Sequence, residues 1–137
     1  MLVSWNQPKN IINFCDMDND IRGISNPATP LRFGMVNRIR PEALDSYLAL
    51  HADGHPGVRD LLVRYHICNF NIFLQRIGED WFEFAYYEYT GSDHAADMAA
   101  LAAEPRNIQW LANCDPMQQP LEGQTGWTVM ERIYFNP

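Results

Sequence analysis

Basic residues are scarce in this chain: 10 Lys plus Arg stand against 17 Asp plus Glu, a net charge of −7. A phosphate-backbone binder needs a basic footprint, so no nucleic acid is expected as a partner. Long apolar runs are missing too. None approaches the ~18 residues of a membrane helix, so no membrane partner is expected. The first residues lack the basic-then-apolar order of a secretory signal. Cysteine is sparse: Cys15, Cys68 and Cys114 are widely spaced and form no C-x-x-C. Three packing thiols in a reducing, cytoplasmic setting are the expectation. No N-x-[ST] glycosylation acceptor occurs.

What is present is apolar and aromatic. Of 137 residues, 47% are hydrophobic and 12% aromatic, which excludes disorder and suits one soluble domain with a sizeable core. The first 30 residues differ from the rest. They hold Pro8, Pro27 and Pro30, many Asn and Asp, and no sustained period, so they read as an irregular arm packed through Trp5, Ile11, Ile12 and Phe14. Asp16, Asp18 and Asp20 imitate the start of a calcium loop. The loop's glycine and final glutamate are replaced by Ile21 and Pro27, so a solvated acidic turn is expected.

Regular patterning begins at residue 31. Leu31 to Ile39 alternates as a strand, with Phe33, Met35, Asn37 and Ile39 on one face. Pro41 suits the first turn of a helix that places Leu44, Tyr47, Leu48 and His51 on one stripe. Gly54 and Pro56 interrupt it, and Val58, Leu61 and Leu62 mark a second helical piece. Tyr65 to Leu74 and Trp81 to Tyr89 form a hairpin about a turn at Gly78. Ser92 is an N-cap candidate for a helix with Ala95, Met98, Leu101 and Ala102 inward, which Pro105 ends or kinks. A short turn around Ile108 to Leu111 follows, and Trp127 to Phe135 closes the chain as a fourth strand. The order βαββαβ predicts a ferredoxin-like α+β fold, an antiparallel sheet with its helices on one face. Trp81 to Tyr89 is apolar at both parities, which predicts cover on the second face: a homodimer forming a dimeric α/β barrel.

The first helix carries the clearest chemistry. Tyr47 and His51 are one turn apart, and burial on an apolar stripe favours the neutral, proton-exchanging imidazole. A core histidine satisfied by a carbonyl would have the same spacing. The polar company favours a site: Asn37 on the first strand, and Asn69 and Asn71 on the second. His51 and His55 share the spacing of zinc ligands, but H-E-x-x-H is incomplete because Ala52 stands where the glutamate would, so no metal is expected. Aromatics beside amides suit a monosaccharide, whose C–H faces stack on rings. The candidates are Tyr47, Phe70, Trp81, Tyr86, Tyr87, Trp110 and Trp127.

Beyond composition, the segments RPEALDSYLALHADGHPGV, CNFNIFL, FAYYEYTG, IQWLANCDPMQQPL and MERIYF, in this order, resemble the L-rhamnose mutarotase family. The resemblance spans residues 33 to 135 and leaves the first 30 without a counterpart. It implies a dimeric α+β barrel of small cytoplasmic enzymes that interconvert sugar anomers without metal or organic cofactor. It places the proton donor on His51 and substrate contacts on Tyr47, Phe70, Gln109 and Trp110. Three of its aromatics are changed here: a tyrosine falls on Phe70, the first of paired tryptophans on Gln109, and a further tryptophan on His55. The acid–base residue is retained while the pocket wall is altered, so L-fucose or another 6-deoxy aldose is an alternative substrate. Gln109, Asn69 and Asn37 complete the expected polar contacts. Two other classes share such barrels. One is a cofactor-independent oxygenase or haem-handling enzyme with His51 or His55 as axial ligand; the other is a non-enzymatic sugar-binding module.

Overall fold

The computed structural model describes residues 29–137. The arm expected over residues 1 to 30, with its acidic turn, therefore lies outside the described residues save for Thr29 and Pro30. Four strands, β1 (Leu31–Ile39), β2 (Ile67–Ile77), β3 (Asp80–Tyr89) and β4 (Thr128–Met130), form one sheet in the order β2-β3-β1-β4. All its pairings are antiparallel. Helices α1 (Leu44–Leu50) and α2 (Arg59–Arg64) link β1 to β2, while α3 (His94–Ala103) and α4 (Pro105–Cys114) link β3 to β4. This is the ferredoxin-like order, each crossover being a pair of shorter helices. No described helix is long and apolar enough to cross a membrane.

Local chemistry explains most boundaries, including several that differ from expectation. The hairpin is tighter than the sequence suggested. Gly78 takes the left-handed conformation (φ 61°), so a two-residue turn suffices and β2 runs on to Ile77. Asp93, not Ser92, caps α3, its carboxylate accepting the Ala96 N–H at 3.0 Å. Pro105 does not merely end α3. It occupies the first turn of α4, where its missing N–H is harmless, and the expected short turn becomes a ten-residue helix. In α1, Leu48 is 45% exposed, so the inward residues are Leu44, Tyr47 and His51 without it.

The largest departure is β4. Only Thr128–Met130 pair with β1, whereas a strand to Phe135 was expected. Beyond Met130 the chain leaves the ladder, and the Phe135 ring lies under the Arg32 guanidinium at 4.2 Å. As an edge strand β4 has a single neighbour, β1, to hold it.

Period-two alternation sorts β1 and β3 into two faces. The helix-facing rows pair Phe33 with Tyr87, Met35 with Ala85, Asn37 with Glu83 and Ile39 with Trp81. Two apolar clusters form there. One holds Val58, Leu61, Ile67, Tyr87, Tyr89 and Leu101; the other holds Ile39, Tyr47 and Cys114. Trp110 packs against both. Each such buried side chain contributes about 1.5–3 kcal/mol. The opposite face is also apolar, with Val36 beside Phe84 and Phe73 62% exposed.

Candidate active site

The site is assembled where α1 ends. Its last helical residue is Leu50, and His51 occupies the C-cap with φ −99° and ψ 4°. The Tyr47 carbonyl accepts the His51 backbone N–H at 3.3 Å and the ring Nδ1–H at 2.8 Å. A carbonyl only accepts, so the neutral ring carries its proton on Nδ1 and leaves the Nε2 lone pair for a ligand. The imidazole stacks on Tyr47 (4.2 Å between centroids) and meets Trp110 edge-on at 5.3 Å. Burial holds its pKa below the ordinary histidine value; the Tyr47 carbonyl opposes this, while Arg59 and His55 add to it. His51 is thus a neutral, oriented base near pH 7.

The ring opens on a cavity of about 720 Å³ between helices and sheet, lined among others by Tyr47, His51, Asn69, Phe70, Trp110 and Gln118. The loop after α1 shapes the mouth. Arg59 donates to the Asp53 and Ala52 carbonyls at 2.8 and 3.1 Å, and His55 Nδ1 accepts the Gly57 N–H at 3.1 Å. Gly57 needs its freedom: φ is +52°, and a Cβ there would sit 3.4 Å from the Trp110 ring.

Beneath Tyr47 lies a buried polar cluster. Gln118 Nε2 is shared by the Tyr47 hydroxyl at 3.2 Å and Glu83 Oε1 at 2.8 Å. Glu83 and Asn37 face each other across the β1–β3 ladder, and both are fully buried. Glu83 Oε2 and Asn37 Nδ2 have no hydrogen-bond partner. Burial pushes the Glu83 carboxyl up to about 7, against the pull of Tyr47 and Gln118. Burial and the neighbouring Glu83 push the Tyr47 phenol up in turn.

The structure brings together His51, Tyr47, Phe70, Trp110 and Asn69 of the expected contacts. Phe70 is partly exposed and stacks near-parallel on Tyr87 at 5.8 Å. Asn69 stands at a β-bulge with φ 48°, its amide donating to Glu88 at 2.9 Å. Asn37 lies under the floor rather than in the cavity wall, and Oδ1 accepts the Arg38 N–H. Gln109 is exposed on α4 and lines a separate 320 Å³ cleft with Asp60 and Arg106. Of the aromatic candidates, Trp127 and Tyr87 line the main cavity, Tyr87 also bonding His94, while Trp81 packs on the Ile39 cluster and Tyr86 points to the opposite face. Glu83 and Gln118 were not singled out from sequence. Cys114 is a buried free thiol, whereas Cys68 is not free, so the packing-thiol expectation does not extend to it. Among the described residues, no group of three or more His, Cys, Asp or Glu is gathered as metal ligands would be.

A ferredoxin-like sheet bearing a neutral, desolvated histidine over an aromatic-walled cavity has the groups that proton exchange with a small polar molecule requires. Residues 32–135 match the L-rhamnose mutarotase family, and the chain belongs to that family. It is accordingly an isomerase of the mutarotase type. Among solved structures it is similar to an L-rhamnose mutarotase from Formosa agariphila. The TM-score is 0.57 at 16% identity, over 78% of this chain and 99% of that one. An antibiotic biosynthesis monooxygenase aligns at a TM-score of 0.46 and 15% identity, over 76% of this chain and all of the other. No curated protein matches the chain.

Proposed function

We propose that this protein interconverts the α and β anomers of a 6-deoxy aldose, L-rhamnose being the first candidate and L-fucose the second, with His51 as the proton-exchanging group. The observation that carries the reading is the His51 ring: Nδ1 is tied to the Tyr47 carbonyl and Nε2 is left free at the cavity. Ring opening requires a base at the anomeric hydroxyl and an acid at the ring oxygen. His51 Nε2 takes the hydroxyl proton as the C1 carbonyl forms. The C1–ring-oxygen bond breaks, and Tyr47 hands a proton to the departing oxygen. Rotation about C1–C2 exposes the other carbonyl face, and both protons return as the ring closes. Such a cycle is proton transfer throughout and requires neither metal nor organic cofactor. Trp110 supplies an apolar wall for the sugar's C–H face and Gln118 lines the cavity, whereas the Asn69 amide is taken by Glu88 on the other face of the sheet.

The proposal includes a homodimer joined across the second face of the sheet. Phe73 stands 62% exposed there, beside the Phe82–Phe84 stack. Light scattering measures the mass directly.

Saturation-transfer NMR over L-rhamnose, L-fucose and common aldoses tests the activity. His51→Asn should lower catalysed exchange about 10²–10⁴-fold while leaving the fold intact. Exchange at the wild-type rate in that variant overturns the assignment. Sugar binding without exchange in the wild type would favour a binding module instead.

A further inference from the structure

Mutarotation needs two proton-exchanging groups, and His51 accounts for one. Tyr47 is the other group at the cavity, yet its phenol is held protonated by burial and makes a poor acid alone. What lies behind it is unusual for a structural core. Glu83 is fully buried on the helix-facing side of β3, in the row of Ala85, Tyr87 and Tyr89. None of the ion pairs among the described residues includes it. A leucine would fill the same space without desolvating a carboxyl, and a glutamine would serve the Gln118 contact. Gln118 Nε2 clamps Glu83 Oε1 and the Tyr47 oxygen together, which fixes the carboxyl behind the phenol.

We propose that Glu83 is the proton store behind Tyr47, giving its proton to the Tyr47 oxygen as Tyr47 protonates the ring oxygen, and recovering it when the ring recloses. This rests on the mutarotase reading and deepens it. The balance closes. On opening, the anomeric proton goes to His51 Nε2, the Tyr47 proton to the ring oxygen, and the Glu83 proton to Tyr47. The open-chain sugar is neutral, flanked by imidazolium and carboxylate. On closure each proton retraces its path, and neither redox change nor a co-reactant enters. Glu83 never touches the sugar, so it is a positioning and proton-holding residue acting through Tyr47.

The groups facing Glu83 suit the role. Tyr47 comes from α1, with His51 stacked on its ring; Asn37 faces it from β1, Leu74 pairs with it from β2, and Gln118 follows α4. Cys114 at the end of α4 is pushed up to about 11, burial leading and Asp115 and Glu83 adding, so it stays a neutral thiol. The competent state therefore pairs unprotonated His51 with protonated Glu83. Exchange should fall on the alkaline side as Glu83 ionises, with a midpoint near neutrality.

Exchange rates of the wild type and Glu83→Gln across pH 5 to 9, with sugar affinity measured alongside, test this. The expected result is a loss of about tenfold or more in E83Q at pH 6, little change in affinity, and no alkaline limb. Wild-type rates with the same limb overturn the proposal. Should E83Q not fold, 13C-glutamate labelling of the wild type follows the carboxyls directly. One carboxyl must ionise near neutrality, in step with the alkaline limb; if all are ionised by about pH 5.5, the proposal fails. No wild-type exchange at all would instead sink the mutarotase reading.

Discussion

Glu83 makes a thermodynamic prediction that does not depend on catalysis. Its carboxyl moves from an ordinary 4.5 to about 7 on folding because burial disfavours the charge. Between those values the native state keeps a proton that the unfolded chain has released. Stability must then fall as pH rises through the window, by about 1.4 kcal/mol per pH unit, and the loss must level off above the folded value. The full span amounts to about 3 kcal/mol, a large part of a small domain's 5–15 kcal/mol. The perturbation that isolates it is Glu83→Gln, which cannot ionise. Urea unfolding of both proteins at fixed concentration, from pH 5 to 9, gives two stability curves. Any constant offset from the altered hydrogen bond to Gln118 cancels between pH values. The lowered His51 value acts in both proteins, costing stability as pH falls below the ordinary histidine range, and cancels too. The wild type should lose about 2.5 kcal/mol more than E83Q between the ends of the range, which opens just above the unfolded value. Parallel curves would show that Glu83 ionises normally in the folded protein and would refute the desolvation argument.

Three further outcomes follow from the same geometry. Arg59 helps keep His51 unprotonated, so Arg59→Gln should raise the His51 pKa and move the acid limb of the pH–rate profile to higher pH; an unmoved limb removes Arg59 from the electrostatics. Trp110 packs against both apolar clusters and lines the cavity, so Trp110→Ala should cost about 3 kcal/mol in unfolding experiments and raise KM more than it lowers kcat. Gly57→Ala has room for its methyl at 3.4 Å from Trp110 but not the backbone, since φ is +52°; a loss of about 1–2 kcal/mol in thermal melts, with kcat retained, is expected.

Much of the fold was legible because it is written in short-range periods. Alternation marked β1 and β3, and the 3.6-residue stripe marked α1, since each depends only on residues a few positions apart. The misplaced helix boundaries have one physical cause in common: a local signal that admits two readings. Pro105 ends one helix or begins another, and only the extended Glu104 before it decides (ψ 123°). Ser92 and Asp93 are both good caps, and the longer-reaching carboxylate takes the Ala96 N–H. The end of β4 was not legible, because an edge strand's length depends on contacts such as Arg32 with Phe135, about a hundred residues apart.

The site divides along the same line. Tyr47 and His51 were found because four residues on a helix put them face to face. The cluster beneath them draws on β1, β3 and the segment after α4, and no local period announces such a meeting. Yet a signal for Glu83 was present. In Trp81 to Tyr89 the two glutamates stand at opposite parities, so they cannot share a face. Glu88 falls with Phe82, Phe84 and Tyr86, where Arg32 stands opposite it and Asn69 and Tyr86 bond it. Glu83 falls with Ala85, Tyr87 and Tyr89 on the face the helices cover. An acid at a core parity is costly enough that its presence is itself information. With Asn37, another polar residue at a core parity, facing it, the two mark where the sheet turns from packing to chemistry.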